Sequence, residues 1–210
     1  MAQAPDEMAI GVANLLTNPQ FSDFSLELGD HTWDLHRIVL STQSSFFARA
    51  FKAVEEAPGE GIDLPVQHEE VVDAMLQYLY TSDYSATTTS YGKPYALAPI
   101  VLDVLLYTLA IAVDVAPLME MASLNFRRRC ETDWATPGFP RAIRELYEIP
   151  LSFTQLMRGS VIHVATRNST ALLRTQYGAD FRAVLKEVKA FAADIQRASN
   201  EWNEKGKRPS

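Results

Sequence analysis

The feature that most constrains this chain is an apolar stretch at residues 96–117. It is long enough to be tested as a membrane span. Pro99, Asp103 and Asp114 interrupt it, and a charged side chain is costly in a bilayer. The stretch therefore predicts a buried core helix. Hydrophobic residues make up 47% of the 210 positions and charged residues 21%, the balance of a folded globular chain rather than a disordered one. Cys130 is the only cysteine, so no intrachain disulfide can form and a cysteine-based zinc site is excluded. Residues 1–7 are acidic and short of apolar side chains, unlike a signal peptide, and the chain reads as intracellular, cytoplasmic or nuclear, with no membrane partner. Asn168-Ser169-Thr170 matches a glycosylation acceptor, which carries little weight without a secretory signal.

Charge is unevenly spread. The net charge of -7 argues against a general affinity for nucleic acid, so no direct nucleic-acid partner is expected. Residues 1–166 hold 10 basic and 21 acidic side chains, whereas residues 167–210 hold 9 basic and 5 acidic. The shift predicts that the last segment is a separate element, or a lid on an acidic body.

Hydrophobic periodicity outlines the elements. Small and apolar residues at helical spacing predict a first helix over 8–16, stopped by Asn18-Pro19. Phe24, Leu26 and Leu28 alternate with Ser25 and Glu27, and residues 31–35 alternate again after Gly29-Asp30. That pattern predicts a β-hairpin. Ser44 is placed to cap a helix through Phe46, Phe47, Ala50 and Phe51. Residues 57–61 read as a loop and Ile62 to Leu64 as a short strand stopped by Pro65. Val71, Val72, Met75, Leu76, Leu79 and Tyr80 mark one face of a helix over 69–80. Residues 84–99, rich in Ser, Thr, Gly, Pro and Tyr, read as a long loop. Helices are expected over 100–113, 116–129, 141–147, 153–177 (with a break near Asn168) and 179–202. The fold class is α+β, a small sheet with many helices.

The order of these elements resembles the BTB/POZ domain. Phe21-Ser22-Asp23-Phe24 is similar to the family's opening. His36-Arg37-Ile38-Val39-Leu40-Ser41 followed by Ser44-Ser45-Phe46-Phe47 resembles its central signature. Ile62-Asp63-Leu64 resembles its third strand, and Tyr78-Leu79-Tyr80-Thr81 the end of its long helix. Leu109-Ala110, Leu118, Ala122 and Phe126 fall where the next helix pair has small and apolar positions. The 85–99 loop is longer than most of the family has, and long variable loops are similar to those of fungal members. The resemblance implies a BTB/POZ domain over 1–130, with 131–140 a linker, 141–204 a helical C-terminal extension and 205–210 a frayed tail.

The same resemblance implies a non-enzymatic protein–protein interaction module. The leading expectation is an adaptor that forms a homodimer and recruits a protein target to a cullin-based ubiquitin ligase. Leu15, Leu16, Asp23 and Arg37 are its dimer-interface candidates. In the family the matching Asp/Arg pair is largely buried, and it serves either to orient the hairpin or in dimer or peptide recognition. Phe51, Val54 and Glu56 are the cullin-docking candidates, an apolar plug with a charge at its rim. The competing reading of Val54-Glu55-Glu56 is a solvated acidic loop. The target would be held by the long loop or the C-terminal helices. An alternative is a transcription-related or scaffolding oligomer with no cullin partner. A third, an unrecognised hydrolase, would need a pocket with a perturbed nucleophile.

Three further groups stand out. Phe181, Val188, Ile195 and Trp202 are spaced by seven, as are Val184, Phe191 and Ala198, giving an apolar seam at coiled-coil positions. It either packs on the chain's own body or meets a second copy or a partner. Arg127-Arg128-Arg129 end an expected helix, where cations interact favourably with the dipole. His31, His36, His68 and His163 show no metal-ligand spacing, so no metal and no cofactor are expected, and Cys130 reads as an inert thiol.

Overall fold

The structure, a computed structural model, describes residues 7–56, 62–86, 88–174, 176 and 178–206, the last with side chains through Trp202. Residues 57–61, read as a loop, and the tail beyond Gly206 lie outside the described residues. The chain divides into two compact units: Met1–Leu97 with Leu106–Glu120, and Ala98–Leu105 with Met121–Ser210.

The first unit begins with α1 (Glu7–Leu15), then the hairpin of β1 (Phe24–Leu28) and β2 (His31–Leu35). The strands pair antiparallel with Leu26 opposite Trp33 and Leu28 opposite His31, so the turn is Gly29-Asp30. Gly29 has a φ of +59°, and a Cβ there would meet Glu69 Oε1 at 2.5 Å. The same carboxylate oxygen accepts the Asp30 N–H at 3.3 Å. The left-handed backbone conformation favours glycine, while the flexible Glu69 carboxylate is what a Cβ would have to displace. Leu26, Trp33 and Leu35 point inward and Ser25, Glu27, Thr32 and Asp34 outward, the period of two that the sequence shows.

Two helices follow as a pair, α2 (Arg37–Gln43) and α3 (Ser45–Glu56). Ser44 Oγ accepts the Phe47 N–H at 3.1 Å, the expected cap, and donates to Val113 O at 2.6 Å. In α4 (Glu69–Thr81) all ten residues from Val71 to Tyr80 are buried, including Asp73 and Gln77. Full burial of a Leu or Met side chain contributes roughly 1.5–3 kcal/mol, which makes α4 the unit's central beam. The predicted strand at Ile62–Leu64 is not formed. The sheet has two strands among the described residues, and Ile62 to Leu64 has no ladder partner, without which a strand leaves its backbone groups unpaired.

Residues 96–117 contain α5 (Pro99–Ala112), whose residues 100–104 are all buried, as the sequence predicts. No helix among the described residues is long and apolar enough to cross a membrane. The unit boundaries fall within α5 and within α6 (Ala116–Asp133). The three arginines do not end α6, which runs on to Asp133. Arg129 Nε instead donates to the buried Asp103 carboxylate at 2.9 Å.

The second unit is helical: α7 (Gly138–Glu148), α8 (Leu151–Arg167), α9 (Ser169–Arg174), α10 (Gly178–Glu187) and α11 (Lys189–Gly206). The α8–α9 break falls at Asn168, as expected. Arg158 closes the carboxyl end of α7 by donating to Ile149 O at 2.6 Å and to Tyr147 O at 3.3 Å. Its guanidinium lies 4.2 Å over the Tyr147 ring.

The expected continuous helix over 179–202 is two helices meeting at Val188. Ten residues of straight helix span about 15 Å, yet the Phe181 and Phe191 rings are 6.1 Å apart. The chain therefore bends at Val188, and both rings enter one core, where Phe191 also meets Tyr147 at 5.5 Å. Phe181, Val184 and Phe191 are buried, Val188 and Ile195 are half-buried, and Trp202 is exposed. A straight heptad seam does not exist here, because shared burial of two phenylalanines outweighs helix continuity.

Candidate functional site

The candidate residues of the first unit converge where β1, α2 and α3 meet. Asp23 precedes β1, and its Oδ1 accepts the backbone N–H of Arg37 at 2.7 Å. It thereby satisfies a first-turn donor of α2. The Arg37 side chain turns away from Asp23 and pairs with Glu55 Oε1 at 2.5 Å. Its guanidinium also lies 4.9 Å over the Phe51 ring. The expected buried Asp23–Arg37 ion pair is thus replaced by a capping carboxylate and a separate Arg37–Glu55 pair. Asp23 is exposed and Arg37 half-exposed, so neither charge needs the other to offset burial.

Phe51 is buried. It meets Phe24 edge-on at 5.0 Å and stacks on Phe47 at 6.0 Å. It holds the end of α3 against the hairpin and is not an exposed docking contact. Val54 is half-buried on the last turn, and Glu56 is exposed with Lys52 Nζ 3.9 Å away. An apolar side chain with a carboxylate two residues on is therefore presented at the carboxyl end of α3.

Several other apolar side chains of this unit are not buried. No residue of α1 is buried, and Leu15 and Leu16 are half-buried. Met8, Phe21 and Ile38 are 77%, 81% and 68% exposed. Phe21 has a φ of +67°, a conformation rare for a bulky residue. Its neighbours are tied to the entrance of α2: Gln20 O accepts the His36 Nε2–H at 2.9 Å, and Asp23 takes the Arg37 amide. His36 is also held by the Tyr80 hydroxyl, 3.0 Å from Nδ1, which accepts its backbone N–H at 2.9 Å. Burial first, and then the charge of Asp23, push the Tyr80 pKa up to about 12, although the His36 backbone hydrogen bond pulls the other way. His36 is a structural residue, as the sequence suggests.

Sequence reasoning missed one constellation. Asp73 on α4 is 0% exposed. It accepts Trp33 Nε1–H at 3.3 Å, Gln77 Nε2–H at 2.7 Å and the Tyr95 hydroxyl at 3.0 Å. Ser90 donates its backbone N–H at 3.0 Å and also its hydroxyl. A buried carboxylate is tolerated only when so satisfied. Nearby, Glu70 accepts the amides of Ala96 and Leu97 at 2.7 and 2.8 Å. The long polar loop is thus fastened to α4 by two carboxylates. Burial, then the Asp73 charge, drive the Tyr95 pKa well up, so that phenol stays a donor. The acidic residues of a helix face give no hint of this until the loop is laid over them.

The remaining chemistry is quiet. Cys130 is buried, and burial followed by the charges of Glu131, Asp103 and Asp133 raises its pKa strongly, so it stays a thiol. No group of three His, Cys, Asp or Glu among the described residues could hold a metal ion.

Residues 12–105 match the family model of the BTB/POZ domain, and the chain carries a BTB/POZ domain. Relatives include Kelch-like protein 40b of Danio rerio, 30% identical over 103 residues, which cover 49% of this chain and 17% of that protein. Kelch-like protein 40 of Homo sapiens is 32% identical over 88 residues, covering 42% of this chain and 14% of that protein. Kelch-like protein 41 of Homo sapiens is 28% identical over 89 residues, 42% of this chain and 15% of that protein. This chain therefore spans less than a fifth of the length of these relatives. The fold is α+β, a BTB domain with a two-stranded sheet followed by a helical extension, and it is a protein-interaction fold.

Proposed function

We propose that the chain is a dimerising adaptor that presents a protein target to a cullin-based ubiquitin ligase. The observation that carries the reading is the carboxyl end of α3, inside the matched domain, where Val54 and Glu56 stand out beside a firmly packed Phe51. Val54 supplies a small apolar plug and Glu56 a charge at its rim, the arrangement by which a docking patch combines burial with specificity. Phe51 acts by positioning α3 against Phe24. The second copy meets the exposed apolar surface around Leu15, Leu16, Phe21 and Ile38, with Asp23 and Arg37 holding the entrance of α2 in place. The 85–99 loop, stiffened by Asp73 and Glu70, or the C-terminal helices hold the target.

Titration of the purified chain with the N-terminal region of its host's cullin, by calorimetry, tests the reading. The wild type binds and Glu56→Lys does not, while both remain dimers by light scattering. Absence of binding by a folded wild-type chain defeats the adaptor. A scaffolding or transcription-related oligomer then stands, using the exposed Phe21 and Ile38 as candidate contacts.

A further inference from the structure

The outer face of α8 carries no acidic or basic side chain over residues 151–166. The sequence has one such residue there, Arg158, and its side chain is buried. The neighbouring helices differ: α10 exposes Arg182 and Lys186, and α11 exposes Lys189 and Arg197. Helical spacing puts Phe153, Leu156, Gly159, Ser160 and His163 on one side of α8, three or four residues apart. Phe153 and Leu156 are 52% and 69% exposed, Gly159 and His163 are exposed, and Ser160 is half-buried. Thr154, Met157, Val161 and Val164 take the other side and pack inward.

The outer face is graded by size. Phe153 and Leu156 are bulky, and Gly159 and Ser160 follow as a notch. A Cβ added at Gly159 would meet nothing within 4 Å, so the chain's own packing does not ask for glycine there, although glycine is unfavourable in mid-helix. What glycine leaves is room for a second helix to come close. Ser160 Oγ donates to Leu156 O at 3.2 Å, so the notch presents no unpaired hydroxyl proton. The stretches of chain outside the described residues contain no Leu, Ile, Val, Phe or Trp, and so bring little of their own to lay over this face.

We infer that this face of α8 meets the same face of a second copy, the two helices antiparallel about a two-fold axis between Leu156 and Ser160. In that register Leu156 lies over the Gly159-Ser160 notch of the second copy, and Phe153 lies beside its His163. Bulky side chains are set on small ones, as close packing requires. A parallel pairing would set Phe153 against Phe153. A two-fold contact brings like residues together near its axis, so a charged face would repel itself and this one does not. The contact is separate from the one proposed around Phe21 and Ile38, and it rests neither on that contact nor on cullin binding.

The face from Ser152 to His163 spans about 17 Å. One helix face of that length covers less than the roughly 1,200 Å² of a standard interface, so the contact is weak and shows at high concentration. Sedimentation velocity of the full chain should show a reversible doubling of mass as concentration rises. Leu156→Asp should weaken that step by about tenfold or more and leave the thermal midpoint unchanged. Gly159→Leu adds apolar surface and a better helix former, so a merely sticky face would associate more, whereas a face with a notch associates less. Phe21→Asp should leave the step in place, which separates the two contacts between copies. Cysteine placement reads the orientation, since Cys130 is buried. Gly159→Cys, close to the axis, should join two copies through a short bis-maleimide, whereas Phe153→Cys, about 15 Å along the helix from its mate, should not. A doubling indifferent to Leu156→Asp, strengthened by Gly159→Leu or abolished by Phe21→Asp overturns the inference. A folded chain with no such step also overturns it and leaves the face to a different protein.

Discussion

Asp73 and Asp103 are both fully buried carboxylates, one in each compact unit, and a cation is bonded to one of them and not to the other. Asp103 meets a cation, the Nε of Arg129 at 2.9 Å. Asp73 is held by Trp33, Gln77, Ser90 and Tyr95, none of which carries a positive charge. The ion pair ties α5 to α6. A ring of neutral donors gathers several pieces of chain at once: β2, α4 and the long loop all end at Asp73. The contrast teaches that a buried charge can organise a segment with little hydrophobic content of its own, provided that segment brings donors.

The largest effect separating the two should come from Asp73→Leu. It strands the Trp33, Ser90 and Tyr95 donors, while Gln77 keeps Thr88 O and the Tyr95 hydroxyl, and each buried unsatisfied group costs about 1–3 kcal/mol. A loss on the order of 4 kcal/mol by urea unfolding is expected, with faster amide exchange confined at first to residues 88–97. An effect under about 1 kcal/mol would mean the loop does not depend on this carboxylate.

Next comes Arg129→Met, which should cost roughly 2–3 kcal/mol because the Asp103 charge loses its cation. Here the two sites should diverge. Adding Asp103→Leu to Arg129→Met should restore most of the stability, since a buried pair can be exchanged for apolar side chains of similar volume. No single second change should rescue Asp73→Leu, whose donors sit on three elements. Rescue in both cases, or in neither, would erase the distinction.

Alkaline titration gives a smaller effect on the same theme. The Tyr80 phenol has its pKa raised from 10.0 to about 12, mainly by burial. The folded state holds its proton more tightly than the unfolded state. The resulting stability is therefore complete below pH 10 and is lost as pH rises from 10 toward 12. Tyr95 shifts in the same direction. Tyr80→Phe should flatten the alkaline loss of stability, measured by urea midpoints across that range.

The smallest effect should come from the outer face of the hairpin. Ser25 Oγ donates to Asp34 Oδ1 at 2.9 Å in full solvent exposure. Asp34→Ser should change stability by less than about 0.5 kcal/mol. A larger loss would show that the hairpin's outer face is covered in solution.

Much of the fold was legible because it depends on local periodicity. The alternation at Phe24, Leu26 and Trp33 announces the hairpin, the apolar face of residues 71–80 announces α4, and Ser44 announces the start of α3. Of the proposed docking end, the sequence shows only the helix: Val54 and Glu56 lie in the last turn of α3. The partner of Arg37 was misread, because Glu55 and Asp23 are equally close in type and only the direction of the side chain chooses between them. The strand expected at Ile62 to Leu64 was misread because a strand is a property of two segments. Phe181, Val184 and Phe191 do pack into the chain's own body, but the helix expected over 179–202 is broken, because spacing says which residues share a face, not whether the helix stays straight.

What the sequence by itself determined is the set of elements and their order, since burying an apolar face of given period is a decision each segment can make alone. What only the tertiary structure decided is which polar groups meet. The Asp73 ring, the Arg37–Glu55 pair and the bend at Val188 each join residues whose partners are chosen by packing. A hydrogen bond or an ion pair is decided over the last few ångströms, and those are set after the helices and the hairpin have been brought together.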